Sequence, residues 1–143
     1  MEGKAFDIST MTLEIFTFCD SADVAEGALS ILKIADGIYS AGCPLKIPRF
    51  CVVYRIRFHE SETGKHKINL SLFNQDGKLL IPPFNKEIVA IMPQGLSTGV
   101  KIGIMGLNGI VFPEFGEYSL NLFVDGNLLG SQPLHFLKIS LPT

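Results

Sequence analysis

Val52-Val53-Tyr54-Arg55-Ile56-Arg57-Phe58-His59 and Lys67-Ile68-Asn69-Leu70-Ser71-Leu72-Phe73 are the two stretches that decide the fold class. In the first, Val52, Tyr54, Ile56 and Phe58 alternate with Val53, Arg55, Arg57 and His59. In the second, Ile68, Leu70 and Leu72 alternate with Lys67, Asn69, Ser71 and Phe73. A period of two puts successive side chains on opposite faces, so each run is a strand with one buried and one wet face. Glu60-Ser61-Glu62-Thr63-Gly64-Lys65 between them is polar and contains a glycine, which predicts a hairpin. Pairing 58 with 68, 56 with 70 and 54 with 72 keeps opposing residues on one face.

The same period runs outward in both directions. Asp76-Gly77 predicts a turn, because glycine accepts positive φ at little cost. Short strands are expected at Lys78–Ile81, Ile88–Met92, Val100–Ile104 and Ile110–Phe112, punctuated by Pro82-Pro83, Pro93 and Pro113. Tyr118–Val124 and Leu134–Ile139 flank an Asp125-Gly126-Asn127 turn, and Thr12–Phe18 and Leu29–Ile34 are two further strands. Asp20–Glu26 between those two reads as a loop, with one helical turn begun by Asp20. Apolar spacing of 3.6 never persists beyond about two turns, so no substantial helix is expected. Eight or nine short strands, with no linker and no internal repeat, predict one all-β domain over residues 1–143. The expected architecture is a single antiparallel β-sandwich.

Composition narrows the function classes. With 143 residues the chain is far shorter than the roughly 250 of a TIM barrel. Twelve Lys+Arg against 14 Asp+Glu leave a net charge of -2, which argues against a phosphate-neutralising surface and makes nucleic acid an unexpected partner. Charged residues are 18 %, below the roughly 25 % of average domains, and mean hydropathy is +0.33. Such a chain carries surplus apolar surface for another subunit or a partner. Cys19, Cys43 and Cys51 have no CxxC spacing, so neither a disulfide framework nor a zinc site is expected. The first residues carry no secretory pattern, which makes the cytoplasm the expected location and leaves the sequon Asn69-Leu70-Ser71 without glycosylation meaning. Ile88–Phe112 holds one charge, Lys101, and a Gly95/Gly99/Gly103 pattern that can bring membrane helices together. Pro93, Gln94, Ser97, Thr98 and Asn108 interrupt it, so loop and strand are expected rather than a span.

Pro113-Glu114-Phe115-Gly116-Glu117-Tyr118, the alternating strand after it, Val124-Asp125-Gly126 and a return strand resemble the closing hairpin of immunoglobulin-like sandwiches. With Phe18-Cys19-Asp20, Leu29-Ser30-Ile31, Asp36-Gly37-Ile38 and Pro48-Arg49-Phe50-Cys51, the chain resembles a family of small bacterial β-sandwich proteins of unknown function. The resemblance implies an immunoglobulin-like sandwich of bacterial or bacteriophage origin, and brings no catalytic residues with it. Independently, Gly116 permits a sharp entry into a strand, and Tyr118 can bury its ring while its hydroxyl bonds nearby backbone, as in a tyrosine corner.

Each candidate for chemistry has a plainer reading. Gly95-Leu96-Ser97-Thr98-Gly99 matches G-x-S-x-G, but a β-like run follows where a nucleophile elbow needs a helix, although His135 lies downstream. Gly103-Ile104-Met105-Gly106-Leu107-Asn108-Gly109 lacks the Lys-Ser/Thr ending of a phosphate loop and reads as a bend or bulge. His59 and His66 flank the expected hairpin tip beside Glu60 and Glu62, an arrangement more often polar surface than metal site, and His135 reads as solvent-facing. No catalytic, metal or cofactor site is therefore expected. Arg55, Arg57 and Lys67 would share the wet face of the hairpin as a candidate anion contact. Phe73, Phe123 and Leu137 fall on outward parity and form a candidate interface. The expected function is a non-enzymatic interaction or assembly module that buries an apolar sheet face, or pairs an edge strand, with a second copy or another protein. The alternative is a small-ligand or carbohydrate binder using the loops Asp20–Glu26, Ala41–Lys46 and Ser61–Lys65.

Overall fold

A computed structural model describes residues 11–139. The described residues form nine strands: β1 (Thr12–Ala25), β2 (Ala28–Ile34), β3 (Gly37–Ser40), β4 (Leu45–His59), β5 (Gly64–Phe73), β6 (Phe84–Ala90), β7 (Thr98–Phe112), β8 (Gly116–Val124) and β9 (Asn127–Lys138). Its one helical element among the described residues is a 3-10 turn at Glu60–Glu62. The strands make a four-stranded sheet, ordered β2-β1-β4-β7, and a five-stranded sheet, ordered β3-β9-β8-β5-β6.

The decisive alternation is present, but not as a hairpin. β4 pairs with β1 and β7, while β5 pairs with β6 and β8, so 54, 56 and 58 do not oppose 72, 70 and 68. The 3-10 turn carries the chain from one sheet to the other. Parity cannot separate the two outcomes, because two strands that face each other across a core need the same inward positions as two that pair. Room decides between them. Tyr54 and Phe58 lie opposite Gly103 and Gly99 of β7, where a β-carbon would collide with either ring. β5 has only Leu72 and Ile68 to offer at those positions.

Tyr54, Ile56, Phe58, Leu107 and Phe112 of the first sheet and Ile68, Leu70, Leu72, Leu120, Leu122 and Phe136 of the second join one buried hydrophobic cluster. A smaller cluster of Cys19, Cys51 and Val53, with Ile15, Leu29, Ile31 and Ile104 against it, sits on the outer face of the four-stranded sheet.

Other boundaries differ from expectation. The five-stranded sheet is mixed, because β3 pairs with β9 in parallel. β3 is a four-residue edge strand, too short for an alternation to reveal it. Asp20–Ala25 continues β1 instead of forming a loop, and the turn is compressed into Glu26-Gly27, both at positive φ. The runs 100–104 and 110–112 fuse into the single strand β7, whose register with β4 passes the glycine-rich segment without a shift, so no bulge forms there. Lys78–Ile81 makes only an isolated bridge, Phe73 to Leu79, and Ile88–Met92 is displaced to Phe84–Ala90. The Asp76-Gly77 turn is present, with Gly77 at φ 76° and Asn74 Oδ1 accepting from the Asp76 and Lys78 amides. Among the described residues no helix is long and apolar enough to cross a membrane.

Tyr118 is 3 % exposed, its ring meets Phe112 edge-on at 5.0 Å, and its hydroxyl donates to the Glu114 carbonyl at 2.7 Å. That is the corner geometry expected from the sequence.

Candidate interaction surface

Outward positions of β5 and β8 build the outer face of the five-stranded sheet. Phe73 and Phe123 both open onto one groove of about 830 Å³, which Lys67, Asn69, Ser71, Asn85, Glu87 and Leu79 also line. Ser71 is buried in its floor and donates to Asn69 Oδ1 at 2.6 Å, while Asn69 donates to Asn85 Oδ1 at 2.8 Å. The wall at Leu79 is held by the Asn74–Lys78 turn and by the Leu80 amide donating to the Leu72 carbonyl. Phe123 stands opposite Leu128 of β9, which is 54 % exposed.

Two of the three expected interface residues therefore converge. Leu137 does not join them. It lies on β9 beside Tyr39 of β3, near the other edge of the sheet, where both side chains are exposed. Leu79 and Leu128 escaped sequence reasoning, because Leu79 lies outside any regular strand and a register shift between Leu122 and Phe123 sets which residue faces Phe123.

The expected basic face is not assembled. Arg55 and Arg57 belong to the four-stranded sheet and Lys67 to the five-stranded one, since the hairpin that would have joined them is absent. A bulge between Leu13 and Ile15 leaves Glu14 as the extra residue of β1, and its carboxylate takes both guanidinium groups. Arg55 Nη1 donates to Glu14 Oε1, and Arg57 Nε donates to Glu14 Oε2 at 2.7 Å. Arg57 Nη1 also donates to Thr98 Oγ1 at 2.9 Å. The hydrogen bond from Arg57 and the positive charge of both arginines hold the Glu14 carboxyl below its ordinary value.

The histidines divide similarly. His66, placed by sequence at an exposed tip, is 1 % exposed. Its Nδ1 lies 2.6 Å from Asp125 Oδ2 and its Nε2 lies 2.6 Å from the Glu62 carbonyl oxygen, so both ring nitrogens face acceptors inside the protein. Asp125 Oδ1 further accepts from the Lys67 amide at 2.8 Å, and Glu62 Oε1 from the His59 amide at 2.9 Å. This network ties the 3-10 turn to β5 and to the β8–β9 turn. Among the described residues no group of three His, Cys, Asp or Glu side chains could hold a metal ion.

Of the three expected ligand loops, the first lines two cavities. Val24 lines a groove with Ile15, Leu29 and Val100, and Asp20 lines a cavity with Ile47 and Phe50; neither takes residues from the other two loops.

These features define an all-β domain of two sheets with a mixed apolar and amide groove on one outer face. The chain belongs to a protein family of unknown function, DUF6941, whose model matches residues 14–137. No curated protein matches the chain. Among solved structures, it is similar to the alkylpurine DNA glycosylase AlkC of Pseudomonas fluorescens, bound to DNA containing an abasic site analog. The TM-score is 0.50 and the identity 10 %, over 90 % of this chain and 30 % of that one. A glycosyl hydrolase family 2 member from Bacteroides cellulosilyticus matches at TM-score 0.39 and 9 % identity, over 87 % of this chain and 15 % of that one. An immunoglobulin-like protein from Pseudomonas aeruginosa matches at TM-score 0.36 and 15 % identity, over 88 % and 95 % of the two chains. The chain thus spans less than a third of the first two proteins, and the likeness to the first concerns fold alone.

Proposed function

We propose that this protein is a non-enzymatic, cytoplasmic assembly module, built as an immunoglobulin-like β-sandwich, that pairs with a second copy of itself through the outer face of the five-stranded sheet. The observation that carries the reading is the convergence of Phe73 and Phe123, from two different strands, on one groove with Leu79. An apolar patch at the surface of a chain with so few charges is the kind of surface that association removes from water. Lys67 and Glu87 are cross-strand neighbours in its lining, and Lys86 lies there too, so the patch carries charges of both signs. A two-fold axis through such a patch can set Lys67 of one copy near Glu87 of the other, whereas a patch of single sign would repel its own copy.

Light scattering on a size-exclusion column across loading concentrations tests this. A dimer that Phe123→Asp converts to a monomer with an unchanged circular dichroism spectrum supports it. A strict monomer at high concentration, with Phe73 and Phe123 still open to solvent, overturns it.

The groove also favours a second reading, a small-ligand or carbohydrate site. Its volume falls within the roughly 300–1,000 Å³ of ligand pockets, and Asn69, Ser71 and Asn85 give it a hydrogen-bonding floor between two phenyl rings. A rise in melting temperature with a member of a sugar and metabolite panel, lost in Asn85→Ala, supports that reading. Nucleic acid is a weaker candidate despite the DNA bound by the Pseudomonas fluorescens glycosylase. Glu14 takes up Arg55 and Arg57, and Lys67 stands on the other sheet.

A further inference from the structure

Cys19 of β1 and Cys51 of β4 are direct cross-strand partners on the outer face of the four-stranded sheet. Direct partners on an antiparallel pair point the same way, and both thiols lie in the small outer cluster with Val53. Backbone geometry sets their α-carbons about 4.5–5.5 Å apart, inside the roughly 4.4–6.8 Å that a disulfide spans. Both are free thiols, 3 % and 9 % exposed. Cys43, the third, is exposed and lies on the turn before β4.

The surroundings of the pair are unequal. On its other side Cys51 faces Gly106 of β7, where a β-carbon would meet nothing within 4 Å. The one missing side chain beside Cys51 therefore leaves an opening on the face to which its sulfur points. Cys19 lies deeper, its thiol donating to the Ser21 carbonyl at 3.4 Å, in a cluster that Ala22, Leu29 and Ile31 of the β1–β2 arm pack against. Burial first, then the neighbouring Cys51 thiol and Asp20, push its pKa up. Cys19 is also where β1 changes partners, since it pairs with Cys51 on one side and Ile34 on the other.

We propose that Cys19 and Cys51 form a reversible redox-modification site, oxidised by a low-molecular-weight disulfide that enters beside Gly106. Cys51 loses its proton to solvent and its thiolate attacks one sulfur of the small disulfide, releasing one small thiol. The Cys19 thiolate then attacks the mixed-disulfide sulfur on Cys51, forming the Cys19–Cys51 bond and releasing the second small thiol. Two electrons pass from the protein pair to the small disulfide, and the two protein protons leave with the two small thiols. Closing the bond needs β-carbons near 3.8 Å, against about 4.5–5.5 Å for directly opposed residues. The strands must be drawn together, so the bond is a labile one and works as a switch rather than a permanent staple. In the oxidised state the β1–β2 arm is fastened at its pivot to β4.

The test uses the full chain with Cys43→Ser, equilibrated in native buffer with mixtures of oxidised and reduced glutathione. The expected result is a mass lower by two hydrogens, a linked Cys19–Cys51 peptide, and its reversal when reduced glutathione predominates. Oxidation should slow amide hydrogen exchange in residues 20–34 at least threefold. Gly106→Val should slow formation of the bond about tenfold while leaving the oxidised fraction at equilibrium unchanged. Two thiols that remain fully alkylatable at every ratio, or a glutathione adduct on Cys51 that never resolves, would overturn the proposal.

Discussion

Tyr54 packs onto its cross-strand partner Gly103 so closely that a β-carbon at 103 would fall inside the phenol ring. Tyr54 is 1 % exposed, and burial pushes its pKa up. A glycine that looks like helix-packing or loop punctuation in the sequence is therefore the floor under a buried tyrosine of the core.

Gly103→Ala should destabilise the protein by about 1–3 kcal/mol, because the ring has nowhere to move in a filled core. Gly106→Ala, three residues along the same strand in open space, should change stability by less than about 0.5 kcal/mol. Urea midpoints at constant m-value compare the two.

Tyr118→Phe removes the hydroxyl that donates to the Glu114 carbonyl while retaining the ring against Phe112. The expected loss is about 0.5–1.5 kcal/mol, read as a lower urea midpoint. A change no larger than experimental scatter would show that the corner is held by ring packing alone.

Glu14 gives a pH dependence with a defined sign. Its carboxyl is held below its ordinary value of 4.5 in the folded chain, so the folded state favours the charged form. The stabilisation is complete above about pH 4.5 and disappears as pH falls through the lowered folded value. The wild type should thus exceed Glu14→Gln in melting temperature at pH 7, with the gap closing below pH 4. Added salt should narrow it as well, since the three groups are partly exposed.

Asp125→Asn keeps a residue type that tolerates the φ of 50° at this turn, but removes the charge beside buried His66. About 1–3 kcal/mol of stability should be lost, with the β8–β9 turn exchanging its amides faster. His66→Phe, which leaves Asp125 Oδ2 and the Glu62 carbonyl without their imidazole partner, should cost at least as much as Asp125→Asn.

Leu137→Asp serves as the control for the association surface. Leu137 lies beside Tyr39, away from the Phe73–Phe123 groove, so it should leave the oligomeric state unchanged while Phe123→Asp disrupts it. Matching effects of the two variants in light scattering would place the interface elsewhere.

The alternation of Tyr54, Ile56 and Phe58, of Ile68, Leu70 and Leu72, and of Tyr118, Leu120 and Leu122 was legible because period two is a property of the backbone, independent of what a strand pairs with. The all-β class, the inward residues, the Asp76-Gly77 turn, the Tyr118 corner and the outward parity of Phe73 and Phe123 all follow from such local rules. Tertiary structure alone decided which strands meet. Whether β4 turns back onto β5 or crosses to another sheet depends on the fit of Tyr54 and Phe58 against glycines more than forty residues away, and no local pattern encodes that fit. The same choice separated Arg57 from Lys67 and joined Cys19 to Cys51, because residues close in sequence part and distant ones become neighbours only when the sheets form.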